Sequence, residues 1–107
     1  MSVIQISAKD LQKKIENGGD MILLDVREPN EFEFAHIEGS LLIPTKQIPQ
    51  RIEEIDSVVD CVVICHHGMR SQQVAVFLSD SGFSNIHNLS GGIDVWSVEC
   101  DNTVLRY

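Results

Sequence analysis

The run V-V-I-C-H-H-G-M-R-S at residues 62–71 sets a cysteine before two histidines and a glycine, with an arginine five positions after the thiol. A free thiol ionises near pH 8.5 and only its thiolate attacks, so such a residue is reactive only where its surroundings favour the anion. The apolar residues before Cys65 read as the end of a buried strand. Those after it, with Val74, Phe77 and Leu78 spaced to share a face, read as a helix. A helix N-terminus offers unpaired N–H groups and the positive end of the macrodipole. Gly68 allows the positive φ that turns successive amides inward. Arg70 adds a permanent cation whose planar fork suits oxyanions. Cys65 is therefore expected to be an acidic, exposed nucleophile facing an anionic substrate, in a loop completed by His66, His67, Gly68, Met69 and Arg70.

Other chemistry has less support. A metal site is not expected: Cys61 lies a strand length from Cys65, and adjacent histidines seldom converge on one ion. The three cysteines do not form a disulfide framework. On one extended strand the Cα atoms of Cys61 and Cys65 stand roughly 13 Å apart, beyond the bridging limit near 7 Å. Asp25 and Arg27 end another apolar run and stand where they can support the pocket. The favoured reading is a carboxylate accepting hydrogen bonds from neighbouring loops. His36 and His87 are read as structural and Trp96 as core. Glu28, Glu31, Glu33 and Glu38 read as a solvated acidic face.

These residues need elements to hold them. The 107 residues are expected to form one domain, 1–107, able to bury a core without staples. Eight basic against sixteen acidic residues give a net charge of −8, which disfavours nucleic acid and suits a partner with a basic patch. No apolar run approaches membrane-spanning length and the N-terminal residues lack a leader pattern, so a cytoplasmic location is expected. Strand-like runs at 3–6, 21–26, 40–43, 61–65 and 85–89 alternate with helical patterns. The first helix follows Ser7, carries Leu11 and Ile15 on one face and stops at Gly18-Gly19. A short second helix has Pro29 in its first turn, Ile48, Ile52 and Ile55 mark a third, and Gly82 closes the helix after the cysteine loop. G-G-I-D-V-W opens a last helical turn. The order implies an α/β fold: an open, mainly parallel five-stranded sheet with helices on both faces. Ligands of such sheets sit beyond the carboxyl ends of the strands, where Cys65 and Asp25 fall.

Four stretches together resemble the single-domain rhodanese family of sulfurtransferases. They are L-L-D-V-R-E-P-N-E-F (23–32), A-H-I-E-G-S-L-L-I-P (35–44), C-H-H-G-M-R-S (65–71) and N-L-S-G-G-I-D-V-W (88–96). Ala35, Ser40 and Leu42 depart from the family's usual glycine, alanine and asparagine. The resemblance implies a rhodanese fold without a cofactor and a cycle through a persulfide on Cys65. The implied donor is a small anion such as thiosulfate, or a persulfide; the implied acceptor is cyanide or a thiol. The loop amides and Arg70 would orient the donor, with His66 and His67 at the rim. The tail, 97–107, resembles rhodanese domains that serve sulfur-carrier proteins, which adds such a protein as a partner. The rival classes are a non-catalytic module, which commonly lacks the cysteine, and a phosphatase, whose loop places arginine one residue further on.

Overall fold

The computed structural model describes residues 3–107. Five strands alternate with helices along the chain: β1 (Ile4–Ile6), α1 (Ala8–Glu16), β2 (Met21–Asp25), α2 (Pro29–Phe34), β3 (Leu41–Leu42), α3 (Ile48–Arg51), β4 (Asp60–Ile64), α4 (Met69–Asp80), β5 (Ile86–Leu89) and α5 (Gly92–Glu99). The strands form one sheet in the order β1-β5-β4-β2-β3, and every neighbouring pair is parallel. The architecture is α/β, as expected, with the sheet wholly rather than mainly parallel.

Strand β4 lies at the centre, paired with β2 from Met21↔Asp60 to Asp25↔Ile64 and with β5 from Cys61↔Ile86 to Val63↔Asn88. Its apolar run is covered on both sides, as a central parallel strand requires. The two-residue period sends Val62 and Ile64 into a core shared with Leu11, Ile93 and Trp96. Cys61, Val63 and Cys65 enter a second core with Ile48, Val74, Ala75 and Leu78. Thus α1 and α5 cover one face while α3 and α4 cover the other. Each fully buried Leu, Ile or Val contributes roughly 1.5–3 kcal/mol, so β4 is the best-anchored element and its carboxyl end is firmly placed.

Local signals account for the element ends. Ser7 Oγ accepts from Asp10 N at 3.1 Å and starts α1. Pro29 occupies the first turn of α2, and the Glu28 N–H donates back to Glu31 Oε1 at 2.9 Å.

Three helical expectations need correction. Ile48, Ile52 and Ile55 do not share one helix, because Arg51 leaves helical geometry at φ −114°, ψ 15° and the chain tightens into a 3-10 turn over Ile52–Glu54. Phe77 is 42% exposed, because the sheet takes Val74, Ala75 and Leu78 and leaves Phe77 at the margin, beside Thr45, Ile48 and Pro49. Ile15 likewise lies half out of the core that holds Leu11. Among the described residues no helix is long and apolar enough to cross a membrane.

Candidate active site

Cys65 is the first residue beyond the β4 ladder. Two contacts from α5 orient the loop that follows. Ile93 N donates to Cys65 O at 2.9 Å and Asp94 N to His66 O at 3.2 Å. So close an approach needs glycine. A Cβ on Gly92 would lie 2.3 Å from His66 O and 2.5 Å from Cys65 O, and its φ of +63° also disfavours a side chain.

With its first carbonyls drawn toward α5, the loop turns an amide onto the sulfur. Gly68, at φ +103°, donates its N–H to Cys65 Sγ at 3.1 Å, and α4 begins at the next residue. Ser71 Oγ lies 3.2 Å from Sγ and 2.5 Å from Asn88 Oδ1. An amide oxygen only accepts, so the Ser71 proton lies on the Asn88 bond and a neutral Cys65 thiol donates to Ser71 Oγ. Asn88 Nδ2 donates in turn to Gln5 Oε1 at 2.9 Å and Gly68 O at 3.3 Å. The sulfur thus ends a polar chain linking α4, β5 and β1.

Two expectations about this loop change. Cys65 is 1% exposed, not open to solvent, because the first turn of α4 folds over the strand end and sends Met69 outward, 77% exposed. Arg70 does not present a free guanidinium either: Nη1 and Nη2 donate to the Glu31 carboxylate at 2.8 and 3.0 Å. Parallel pairing of β4 with β2 sets the loop after one beside the helix after the other, which brings this carboxylate within reach.

Glu31 itself is tightly held. Arg70 draws its carboxyl down to about 2; burial opposes this, while the Glu28 amide and the Tyr107 hydroxyl assist. The Tyr107 hydroxyl donates to Glu31 Oε2 at 2.9 Å and accepts from Arg27 Nη1 at 2.8 Å. The tyrosine ring stacks on His66, with centroids 3.9 Å apart and planes at 7°, and His67 lies 3.9 Å from His66 on a tilted plane. His66 is pushed toward its neutral form, first by burial and then by His67. The tail reaches this wall because Val104 is buried, its carbonyl accepts from Ser97, and Arg106 pairs with Asp94 at 2.8 Å.

Asp25 and Arg27 form a fully buried ion pair, 2.7 Å from Nη2 to Oδ2. Burial works against the charge on Arg27, but the bonds from Asp25 and Tyr107 outweigh it and raise its pKa. The guanidinium also donates to Ala35 O at 2.6 Å. The pair ties β2 to the segment after α2 and supports the wall through Tyr107, and the carboxylate's hydrogen bonds come from Arg27.

Residues 7–99 match the rhodanese-like domain. The chain belongs to the rhodanese-like domain family. A sulfurtransferase of Allochromatium vinosum is 34% identical over 95 residues, covering 89% of this chain and 89% of that one. The thiosulfate sulfurtransferase GlpE of Pseudomonas aeruginosa is 33% identical over 92 residues, covering 86% of this chain and 82% of that protein. The crystal structure of a rhodanese-related protein from Thermoplasma volcanium superposes with a TM-score of 0.82 at 36% identity, covering 91% of this chain and 93% of that one. Two longer relatives are spanned over only 38% and 52% of their lengths.

In this rhodanese-like domain several residues around the loop had escaped sequence reasoning. Asn88 carried a signal, since an amide in a strand buried on both faces needs a partner. Ser71 belonged to the loop motif but had no assigned role. Glu31 was read as solvated, and Tyr107 gave no signal.

Proposed function

We propose that this rhodanese-like domain is a sulfurtransferase that carries sulfane sulfur on Cys65. The observation that carries the reading is Cys65 Sγ at the carboxyl end of the central strand, with the Gly68 amide aimed at it from 3.1 Å. An amide so placed holds negative charge on sulfur without reorganising. Membership in the family and a relative named thiosulfate sulfurtransferase support the same reaction class.

In the first half-reaction the Cys65 thiolate attacks the outer sulfur of thiosulfate or of an organic persulfide. The donor's S–S bond breaks, sulfite or a thiolate leaves with the electron pair, and Cys65 keeps one sulfur as a persulfide. In the second, an acceptor thiolate or cyanide attacks that outer sulfur and the Cys65 thiolate departs. As the sulfur ionises, the Ser71 hydroxyl can turn its proton from Asn88 to Sγ and add a second donor. His66, His67 and Met69 form the rim, while Asp25 and Arg27 support the wall. No cofactor is needed. A small sulfur donor and a thiol, cyanide or sulfur-carrier acceptor are the proposed partners, and neither nucleic acid nor a membrane takes part.

The test is intact-protein mass spectrometry. Excess thiosulfate or a low-molecular-weight persulfide is expected to add one sulfur atom, located on Cys65 by peptide mapping, and cyanide to remove it as thiocyanate. Cys65→Ser is expected to take up none, while Cys61→Ser and Cys100→Ser load fully. Sulfur loading of Cys65→Ser overturns the assignment.

A further inference from the structure

The guanidinia around the loop are all paired. Arg27 is committed to Asp25, Arg106 to Asp94 and Arg70 to Glu31. The Arg70 pair is the one that bears on the sulfur, since Arg70 belongs to the loop itself. Its carboxylate partner is held by two further donors, one of them buttressed in turn by Arg27. Glu28 N donates to one oxygen and the Tyr107 hydroxyl to the other, while Arg27 Nη1 donates to that same hydroxyl and to Glu31 O. A carboxylate fixed in this way is not a loose placeholder that an arriving anion displaces at no cost.

Donors differ in where they carry charge. Thiosulfate brings two negative charges on the reacting group itself. An organic persulfide, R–S–SH, carries at most one negative charge at its reacting end, and the protonated form, whose outer sulfur a thiolate attacks, carries none there. With Arg70 already paired, the first donor meets the Glu31 carboxylate with the loop's own cation engaged, whereas the second meets less opposition. The rim beside the loop is the stacked pair of His66 and Tyr107, an aromatic wall suited to the organic part R.

We propose that Glu31, positioned by Tyr107, makes the Cys65 loop selective for thiol-borne sulfane sulfur over small dianionic donors by holding Arg70 out of use. The inference rests on the sulfur-transfer reading above and names its donor class. The favoured step is Cys65–S⁻ + R–S–SH → Cys65–S–SH + R–S⁻. One S–S bond forms and one breaks, the proton stays with the transferred sulfur, and the electron pair leaves on the thiolate.

The experiment uses the full chain with Cys61 and Cys100 replaced by serine. Single-turnover rates of Cys65 persulfide formation are measured with thiosulfate and with the persulfide of N-acetylcysteamine, an uncharged carrier. Alkylation rates are measured with iodoacetate and iodoacetamide. Glu31→Gln frees Arg70 and is expected to raise the thiosulfate-to-persulfide rate ratio roughly tenfold. The iodoacetate-to-iodoacetamide ratio is expected to rise roughly threefold, because a monoanion feels half the electrostatic energy of a dianion. Tyr107→Phe, which loosens Glu31 without removing it, is expected to move both ratios the same way by smaller factors. It also decides the matter if Glu31→Gln does not fold.

Unchanged ratios in the variants that fold overturn the proposal. If the alkylation ratio rises but neither donor loads Cys65, the sulfur-transfer reading falls and the donor class with it. Control of anion access by Glu31 then stands confirmed by the alkylation alone.

Discussion

At the scale of single residues, the charge of each group around the site follows from its burial and its immediate hydrogen-bond partners. Cys61 and Cys65 share one face of a buried run with Val63, opposite Val62 and Ile64, yet of the two thiols only that of Cys65 has polar contacts. Burial alone pushes the Cys61 thiol up to about 12, which makes it an inert core residue. Asp25 and Arg27 show the opposite device, because neither charge is tolerable at that depth without the other. Glu31 provides a pH signature. Its carboxyl sits at about 2 in the fold against an ordinary 4.5. A carboxyl depressed by folding stabilises the protein fully above its unfolded value and loses that contribution as pH falls toward the folded one. Glu31→Gln is therefore expected to cost about 1–2 kcal/mol at neutral pH, below the full shift because water reaches Arg70. The gap to wild type is expected to close progressively below about pH 4.5. Urea unfolding at several pH values measures it, and a gap that stays constant to pH 3 contradicts the assignment.

At the scale of elements, the sulfur is positioned by an encounter between two helix starts. The α4 start supplies the Gly68 amide, and α5 delivers Ile93 and Asp94 to the loop carbonyls. This arrangement succeeds only because β4 and β5 are parallel neighbours, so both following turns emerge at one edge of the sheet. The glycines separate the requirements. Gly92→Ala places a Cβ against two loop carbonyls and is expected to destabilise the domain by at least about 2 kcal/mol and to abolish sulfur loading. Gly82 has nothing within 4 Å of a Cβ, though its φ of +98° is also left-handed. Gly82→Ala is expected to cost about 1 kcal/mol and to load normally. Denaturant midpoints together with mass-spectrometric loading compare the two, and normal loading in a folded Gly92→Ala would show that the α5 contact does not orient the loop.

At the scale of the molecule, the net charge of −8 acts on whatever approaches. The charges nearest the loop are paired, so the residual field at the site is that of the acidic whole rather than of a local cation. Screening length falls from about 30 Å at 0.01 M salt to about 8 Å at 0.15 M. Thiosulfate loading is therefore expected to accelerate a few-fold over that range, while alkylation by uncharged iodoacetamide stays flat. Stopped reactions across a sodium chloride series give both rates. A thiosulfate rate that falls with salt would reveal a net attractive field at Cys65.

What the sequence determined by itself was most of what is encoded between near neighbours in the chain, the broken helix over residues 48–55 being an exception. The period of two across 61–65, the helical spacing after it and the glycine between them were enough to seat Cys65 at a strand's carboxyl end before a helix. The alternation of strands and helices was enough for an α/β sheet. The four motifs together were enough for the family. What only the tertiary structure decided was which distant groups meet. Arg70 finds Glu31 across 39 positions, and Glu31 finds Tyr107 across 76. Asn88 reaches Ser71 of α4 from strand β5. Hydrophobic periodicity records which face of an element is buried, but a charged side chain pairs with whatever the strand order carries to its tip. That order follows from packing of the whole core, so exposure of Cys65 and a free Arg70 were reasonable inferences from the loop alone. Both failed because the first turn of α4 covers the thiol and the neighbouring strand's helix supplies the carboxylate.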